Sequence, residues 1–214
     1  MTNPHSRKKS GLTLLIVTTC LLVAGIAYAQ SNPAFSYFVN GQLIGDWQFQ
    51  LGDPGNWSFN IEDKRGKSQD GKVEAYPDNF QADGDAIRGV WSRKKMKGEL
   101  KVVSSPKNIS SVRDITALTF DFKINQKANK DVAVTIDCGY PCRASVNIGR
   151  KLRKKNKGEW FTFPIPLNCF DSDNFDLTKV NGISVSTEGK FDLSIGNIRL
   201  QRLPEGERGC AGEK

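Results

Sequence analysis

Leu118, Phe120, Phe122 and Ile124 share one side of an extended backbone. The same period of two returns at Val132, Val134 and Ile136, at Phe161, Phe163, Ile165 and Leu167, and at Phe191, Leu193 and Ile195. Side chains two apart on a strand point the same way, so each run predicts a strand with one buried face. Shorter runs of this kind lie at Trp57 to Ile61, Ala86 to Trp91 and Ile183 to Val185. Turn-forming pairs punctuate them, among them Pro54-Gly55, Asp83-Gly84, Asn129-Lys130, Asn181-Gly182 and Glu188-Gly189. Sustained helical periodicity is nearly absent. About eight to ten short strands in this rhythm predict an all-β fold, an antiparallel β-sandwich or jelly roll.

The first 29 residues follow another pattern. A basic stretch with Arg7, Lys8 and Lys9 precedes an apolar run from Leu12 to Ala24 and the small-x-small sequence Ala27-Tyr28-Ala29. This is the layout of a secretory signal peptide cleaved after Ala29, which predicts a periplasmic or secreted protein. The alternative is an uncleaved N-terminal anchor, because Leu12 to Ala29 approaches the roughly 20 residues of a bilayer crossing. Cys20 then belongs to the leader. The expected organisation is a leader over 1–29, an N-terminal arm over 30–45, one sandwich over 46–202 and a polar tail over 203–214.

Removing the leader changes the chemistry on offer. The only histidine of the 214 residues, His5, leaves with it. Histidine-based nucleophilic triads and histidine-containing zinc centres are therefore excluded from the exported part. Paired-carboxylate chemistry is not excluded, since 23 Asp and Glu remain, but adjacent acids such as Asp83 and Asp85 or Asp171 and Asp173 are common in turns. Four cysteines remain, Cys138, Cys142, Cys169 and Cys210, an even number in an oxidising compartment with three possible pairings. In one of these Cys138 and Cys142 bridge their own Gly/Pro turn, leaving Cys169 and Cys210 to staple the tail. Oxygen donors suffice for a structural calcium, without a spacing that designates its ligands. No other cofactor is expected.

Three blocks carry a family resemblance: Asp83-Gly84-Asp85-Ala86-Ile87-Arg88-Gly89-Val90-Trp91, Val134 to Cys142, and Gly158-Glu159-Trp160 running to Cys169-Phe170. Together with the closing stretch Val180 to Leu200, they resemble the C-terminal galactose-binding-like domain of ExoP-type exo-β-glucanases, which are family 3 glycoside hydrolases. The resemblance runs from Asp46 to Leu200. It implies a galactose-binding-like β-sandwich similar to a carbohydrate-binding module, without the family's catalytic domains.

Strand parity sorts the aromatic residues. Trp47 falls with Phe49 and Leu51, and Trp57 with Phe59 and Ile61, so both are expected inside, as is Trp91. Trp160 has the opposite parity to Phe161 and Phe163 and is expected outside, and Tyr140 is expected to be exposed in its turn. These two are the candidate sugar platforms.

Charge is concentrated. The chain beyond the leader carries 28 Lys and Arg against 23 acids, a net +5. Arg150, Lys151, Arg153, Lys154, Lys155 and Lys157 form one basic run, and Arg93, Lys94, Lys95, Lys97 and Lys101, with Glu99 among them, form another. Solvated hairpin loops explain such runs, and so does an anion-binding edge. Lys151, Arg153, Lys154 and Lys155 thus join Trp160 and Tyr140 as candidate glycan contacts.

The expected function is that of an exported non-catalytic carbohydrate-binding module, for β-glucan or acidic polysaccharide, working alone or beside a separate glycoside hydrolase. The alternative is a structural or interaction domain of the cell envelope that docks a protein or an anionic membrane surface. Nucleic acid is not an expected partner, because the basic runs lack interleaved aromatic residues.

Overall fold

A computed structural model describes residues 32–212. The leader, its cleavage site, His5 and Cys20 lie outside the described residues. The chain forms β1 (Ser36–Val39), β2 (Gln42–Leu43), β3 (Gln48–Asp53), β4 (Asn56–Asn60), β5 (Gly66–Lys67), β6 (Val73–Asp78) and β7 (Ala86–Trp91). It continues with β8 (Gly98–Lys107), β9 (Thr116–Gln126), β10 (Val132–Asp137), β11 (Arg143–Asn147), helix α1 (Gly149–Arg153), β12 (Trp160–Pro166), β13 (Val180–Thr187) and β14 (Phe191–Arg202).

These strands build two antiparallel sheets. An eight-stranded sheet runs β12-β9-β14-β7-β6-β5, with β1 paired to β14 and β2 to β1. A six-stranded sheet runs β11-β10-β13-β8-β3-β4. The alternating runs meet between them: Leu118, Phe120, Phe122 and Ile124 share one buried cluster with Leu51, Leu100, Val102, Val134, Ile136, Ile183 and Val185. Each such side chain contributes about 1.5–3 kcal/mol by leaving water, so period-two alternation is enough to bring the sheets together. Trp91 is fully buried, and its Nε1 donates to the Gly98 carbonyl at 2.9 Å.

Two disulfides complete the fold, Cys138–Cys142 and Cys169–Cys210. The second ties the segment after β14 back to the chain that follows β12. Residues 36–43, read from sequence as part of an arm, carry β1 and β2, and buried Tyr37 and Phe38 join the core.

The outer faces of the two sheets differ. Over the eight-stranded sheet the β6–β7 loop folds back, Asp85 accepting the main-chain N–H groups of Phe80, Gln81 and Ala82 at 2.6, 2.9 and 2.8 Å. Those three bonds hold the Asp85 carboxyl below its ordinary value, although burial alone would raise it. Phe80 rests where a side chain on Gly196 would otherwise stand. A polar layer covers the remainder: Asp121 binds Arg199, Asn197 and Thr162, and Asp192 binds Arg88 and Asn125. The outer face of the six-stranded sheet carries no such lid among the described residues.

Candidate functional site

Strand register sets out the floor of a cleft on that open face. One row across the sheet reads Arg143, Asp137, Gly182, Val103, Gln48. The next reads Ser145, Thr135, Ser184, Lys101, Gln50, Asn60. The third reads Asn147, Ala133, Ser186, Glu99, Gly52. The central strand β13 therefore presents only glycine and serine, so the floor is low in the middle. The resulting cleft has a volume of about 750 Å³ and is lined by Gln50, Trp57, Lys101, Asp137, Tyr140 and Arg143 among others.

Two aromatic residues stand at its borders. Tyr140, 89% exposed, projects from the turn closed by Cys138 and Cys142. Trp57 is 42% exposed, which corrects the expectation that it lies inside with Phe59 and Ile61. The register between β3 and β4 shifts between Leu51 and Asp53, a bulge that breaks the parity carried by Phe59. The indole Cε3 instead lies 3.2 Å from the position a Cβ on Gly52 would take. A Cβ there would press on the indole and the Trp57 backbone by a few tenths of an ångström.

The floor is charged and nearly balanced, three cations against two carboxylates. Glu99, 3% exposed, pairs with Lys97 at 2.8 Å, and Arg143 Nη2 lies 2.8 Å from Asp137 Oδ1. The second pair is close without being aligned, and Asp137 Oδ1, Arg143 Nε and Ser184 Oγ are buried with no hydrogen-bond partner. Burial pushes the Asp137 carboxyl above its usual range against the pull of Arg143, and burial pulls the Lys101 ammonium below its usual value. Unsatisfied buried donors and acceptors are costly. A ligand with hydroxyl groups, which both donate and accept, suits the polar side chains that line the cleft, Gln50, Ser58, Asp137 and Arg143 among them.

The residues chosen from sequence separate in space. Tyr140 belongs to the cleft. Trp160 lies on the outer side of the eight-stranded sheet, as its parity predicted, but Phe80 packs 4.6 Å from its ring and the Lys123 ammonium lies 4.9 Å from its centre. Lys151, Lys154 and Lys155 line a separate shallow groove with Thr162, Phe163 and Pro164, and Arg153 closes α1. Trp57, Gln50, Asp137, Arg143, Lys97 and Lys101 were not singled out as sugar contacts by sequence. Gly52, a glycine inside the alternating Phe49–Leu51 strand, was the available sign of a bulge. Among the described residues, no group of three or more His, Cys, Asp or Glu side chains is gathered as metal donors.

The comparisons with known proteins bear on the fold around this cleft. A family model described as galactose-binding domain-like, Exop_C, matches residues 46–200. Among solved structures, the exo-1,3/1,4-beta-glucanase ExoP from a Pseudoalteromonas species superposes with a TM-score of 0.66 at 16% identity, over 80% of this chain. The match takes up 21% of that enzyme's length. The extra C-terminal domain of the same enzyme, solved alone, gives 0.66 at 15% identity, over 82% of this chain and 95% of that one. A family 30 carbohydrate-binding module of a cellulosomal cellulase from Clostridium thermocellum gives 0.58 at 13% identity, over 81% and 98%. No curated protein matches the sequence.

Proposed function

The chain belongs to the Exop_C family of galactose-binding-like domains, and from that premise we propose that it is a non-catalytic carbohydrate-binding module that holds a neutral glycan in the cleft of the six-stranded sheet. One observation carries the reading: an exposed tryptophan and an exposed tyrosine border a cleft whose polar lining includes Gln50, Ser58, Asp137 and Arg143. Flat rings cover the apolar faces of sugar rings, and the floor meets their hydroxyl groups. From β10 to β3 the floor spans roughly 14 Å by strand spacing, room for several linked sugars rather than one.

The charge balance favours neutral sugars over acidic ones at this place. Lys97, Lys101 and Arg143 face Glu99 and Asp137, and two of the three cations are already paired. β-Glucan is the first candidate, delivered to a separate glycoside hydrolase outside the cell after the leader has been removed. Native affinity electrophoresis in gels containing mixed-linkage β-glucan tests this. The expected result is retarded migration, weakened about tenfold or more by Trp57→Ala, because a stacked aromatic contributes on the order of 1.5 kcal/mol. Trp160→Ala leaves retention unchanged. Equal migration with and without β-glucan, xylan and mannan overturns the reading, and turnover of aryl glycosides by the domain alone overturns its non-catalytic part.

A further inference from the structure

The two basic runs are about fifty residues apart in sequence, yet antiparallel register brings both to one end of the sandwich. Gly98 of β8 pairs with Thr187 of β13, and Thr187 pairs with Val132 of β10. On the other sheet Phe191 of β14 pairs with Trp91 of β7, and Trp91 pairs with Val73 of β6. The loops at this end are therefore 53–56, 67–73, 91–98, 126–132, 147–160 and 187–191. They hold fifteen Lys and Arg against five Asp and Glu, a net +10. The loops at the opposite end, 43–48, 60–66, 78–86, 107–116, 137–143, 166–180 and 202–212, hold eight against thirteen, a net −5.

Direct contacts join these basic loops. The Lys72 ammonium, fully buried, donates to the carbonyls of Ser92, Lys94, Glu188 and Gly189 at 2.8, 2.8, 2.9 and 3.1 Å. Lys127 donates to the Arg153 carbonyl at 2.9 Å, and the Lys190 N–H to Asn129 at 2.7 Å. Ion pairing inside the end is sparse. Lys67 meets Glu74, Lys97 meets Glu99 and Arg153 stands 3.9 Å from Asp131. Twelve of the fifteen cations have no carboxylate within 4.0 Å among the described residues, and eleven remain when Lys72, caged by carbonyls, is set aside.

We propose that this end of the sandwich is an anion-binding surface for the carboxylate or sulfate groups of an acidic polysaccharide. Charge complementarity over a whole end gives long-range attraction that salt screens. Two observations select a hydrated polymer rather than a bilayer. Lys97 lines both the basic end and the cleft, and Trp57 lies just past the 53–56 turn, so a glycan leaving the cleft at that side runs directly onto the cations. Among the described residues the exposed large apolar side chains are Trp57, Tyr76, Ile115 and Tyr140, none of them an aliphatic side chain in a basic loop that would insert into lipid. The choice of a polysaccharide rests on the carbohydrate-binding reading above, whereas the anion-binding surface itself does not.

The test uses the chain from Gln30 onward, in native affinity gels containing polygalacturonate, carrageenan or neutral mixed-linkage β-glucan, with sedimentation on phosphatidylglycerol vesicles alongside. The charge-reversal variant is Lys151→Glu, Lys154→Glu and Lys155→Glu together. These exposed side chains lie outside the cleft, and reversal takes the end from +10 to +4. The expected result is retention by an acidic polymer that weakens about tenfold or more between 50 and 500 mM salt and is lost in the triple variant. Neutral-glucan retention and the melting temperature stay unchanged. Acidic-polymer retention that ignores salt and charge reversal, or no such retention at all, overturns the proposal. Vesicle binding without polymer retention overturns it in favour of a membrane surface. Loss of neutral-glucan retention by Trp57→Ala with intact acidic-polymer binding separates the two sites, and failure on neutral glucan alone sinks only the cleft reading.

Discussion

Lys72 shows how much one side chain decides. Its ammonium is fully buried and shares its three N–H donors among four carbonyls drawn from the 92–94 and 188–189 segments. Lys72→Met keeps the stem's apolar volume but leaves those carbonyls without a donor. The expected loss is about 3 kcal/mol or more, measured by urea denaturation at neutral pH, together with weaker acidic-polymer retention as the basic loops loosen. Asp121 is the corresponding carboxylate. Burial alone would raise its pKa, but Arg199, Asn197 and Thr162 outweigh that and hold the carboxyl below its ordinary value. A depressed folded pKa adds stability that is present above the unfolded value near 3.9 and lost as pH falls through the folded one. Asp121→Asn is therefore expected to lower the melting temperature at pH 7 and to flatten its decline below pH 4, as read by thermal scans across that range.

At the scale of elements, the two disulfides do different work. Cys169–Cys210 closes a separation of 41 residues and Cys138–Cys142 one of 4. Loop-closure entropy assigns them about 4 and about 2 kcal/mol respectively. Paired serine substitutions are expected to rank in that order by chemical denaturation, while only the Cys138 and Cys142 pair weakens β-glucan retention, because that turn presents Tyr140 to the cleft. The alternating runs at Leu118 to Ile124, Phe161 to Leu167 and Phe191 to Ile195 all became core-facing strands, since burial on one face is a local property of each run. The β3–β4 hairpin did not follow its pattern. A bulge at Gly52 changed which way Trp57 faces, and no count of alternating positions specifies where a bulge falls. Strand β8 was legible only in part, because Lys101 was read with the basic run rather than with the alternation of Leu100 and Val102.

Residues 32–212 form a charge dipole built on strands of no net charge. Outside the end loops, the strands carry four Lys and Arg (Arg88, Lys101, Lys123, Arg199) against four acids (Glu74, Glu99, Asp121, Asp192), so the net +5 of residues 30–214 comes from +10 at one end and −5 at the other. The sequence by itself determined the all-β class, the buried faces of most strands, the oxidisable cysteines, the lack of any histidine after His5 and the existence of two basic runs. Each of these depends on composition or on neighbours two positions away. Only the tertiary structure decided that, among the described residues, a loop covers the eight-stranded sheet and none covers the six-stranded sheet, that Trp57 rather than Trp160 borders the cleft, and that both basic runs share one end. Those features are set by which strands pair, in what register and beneath which loop, and such long-range pairings are selected by the packing of the entire core rather than by any local stretch of the chain.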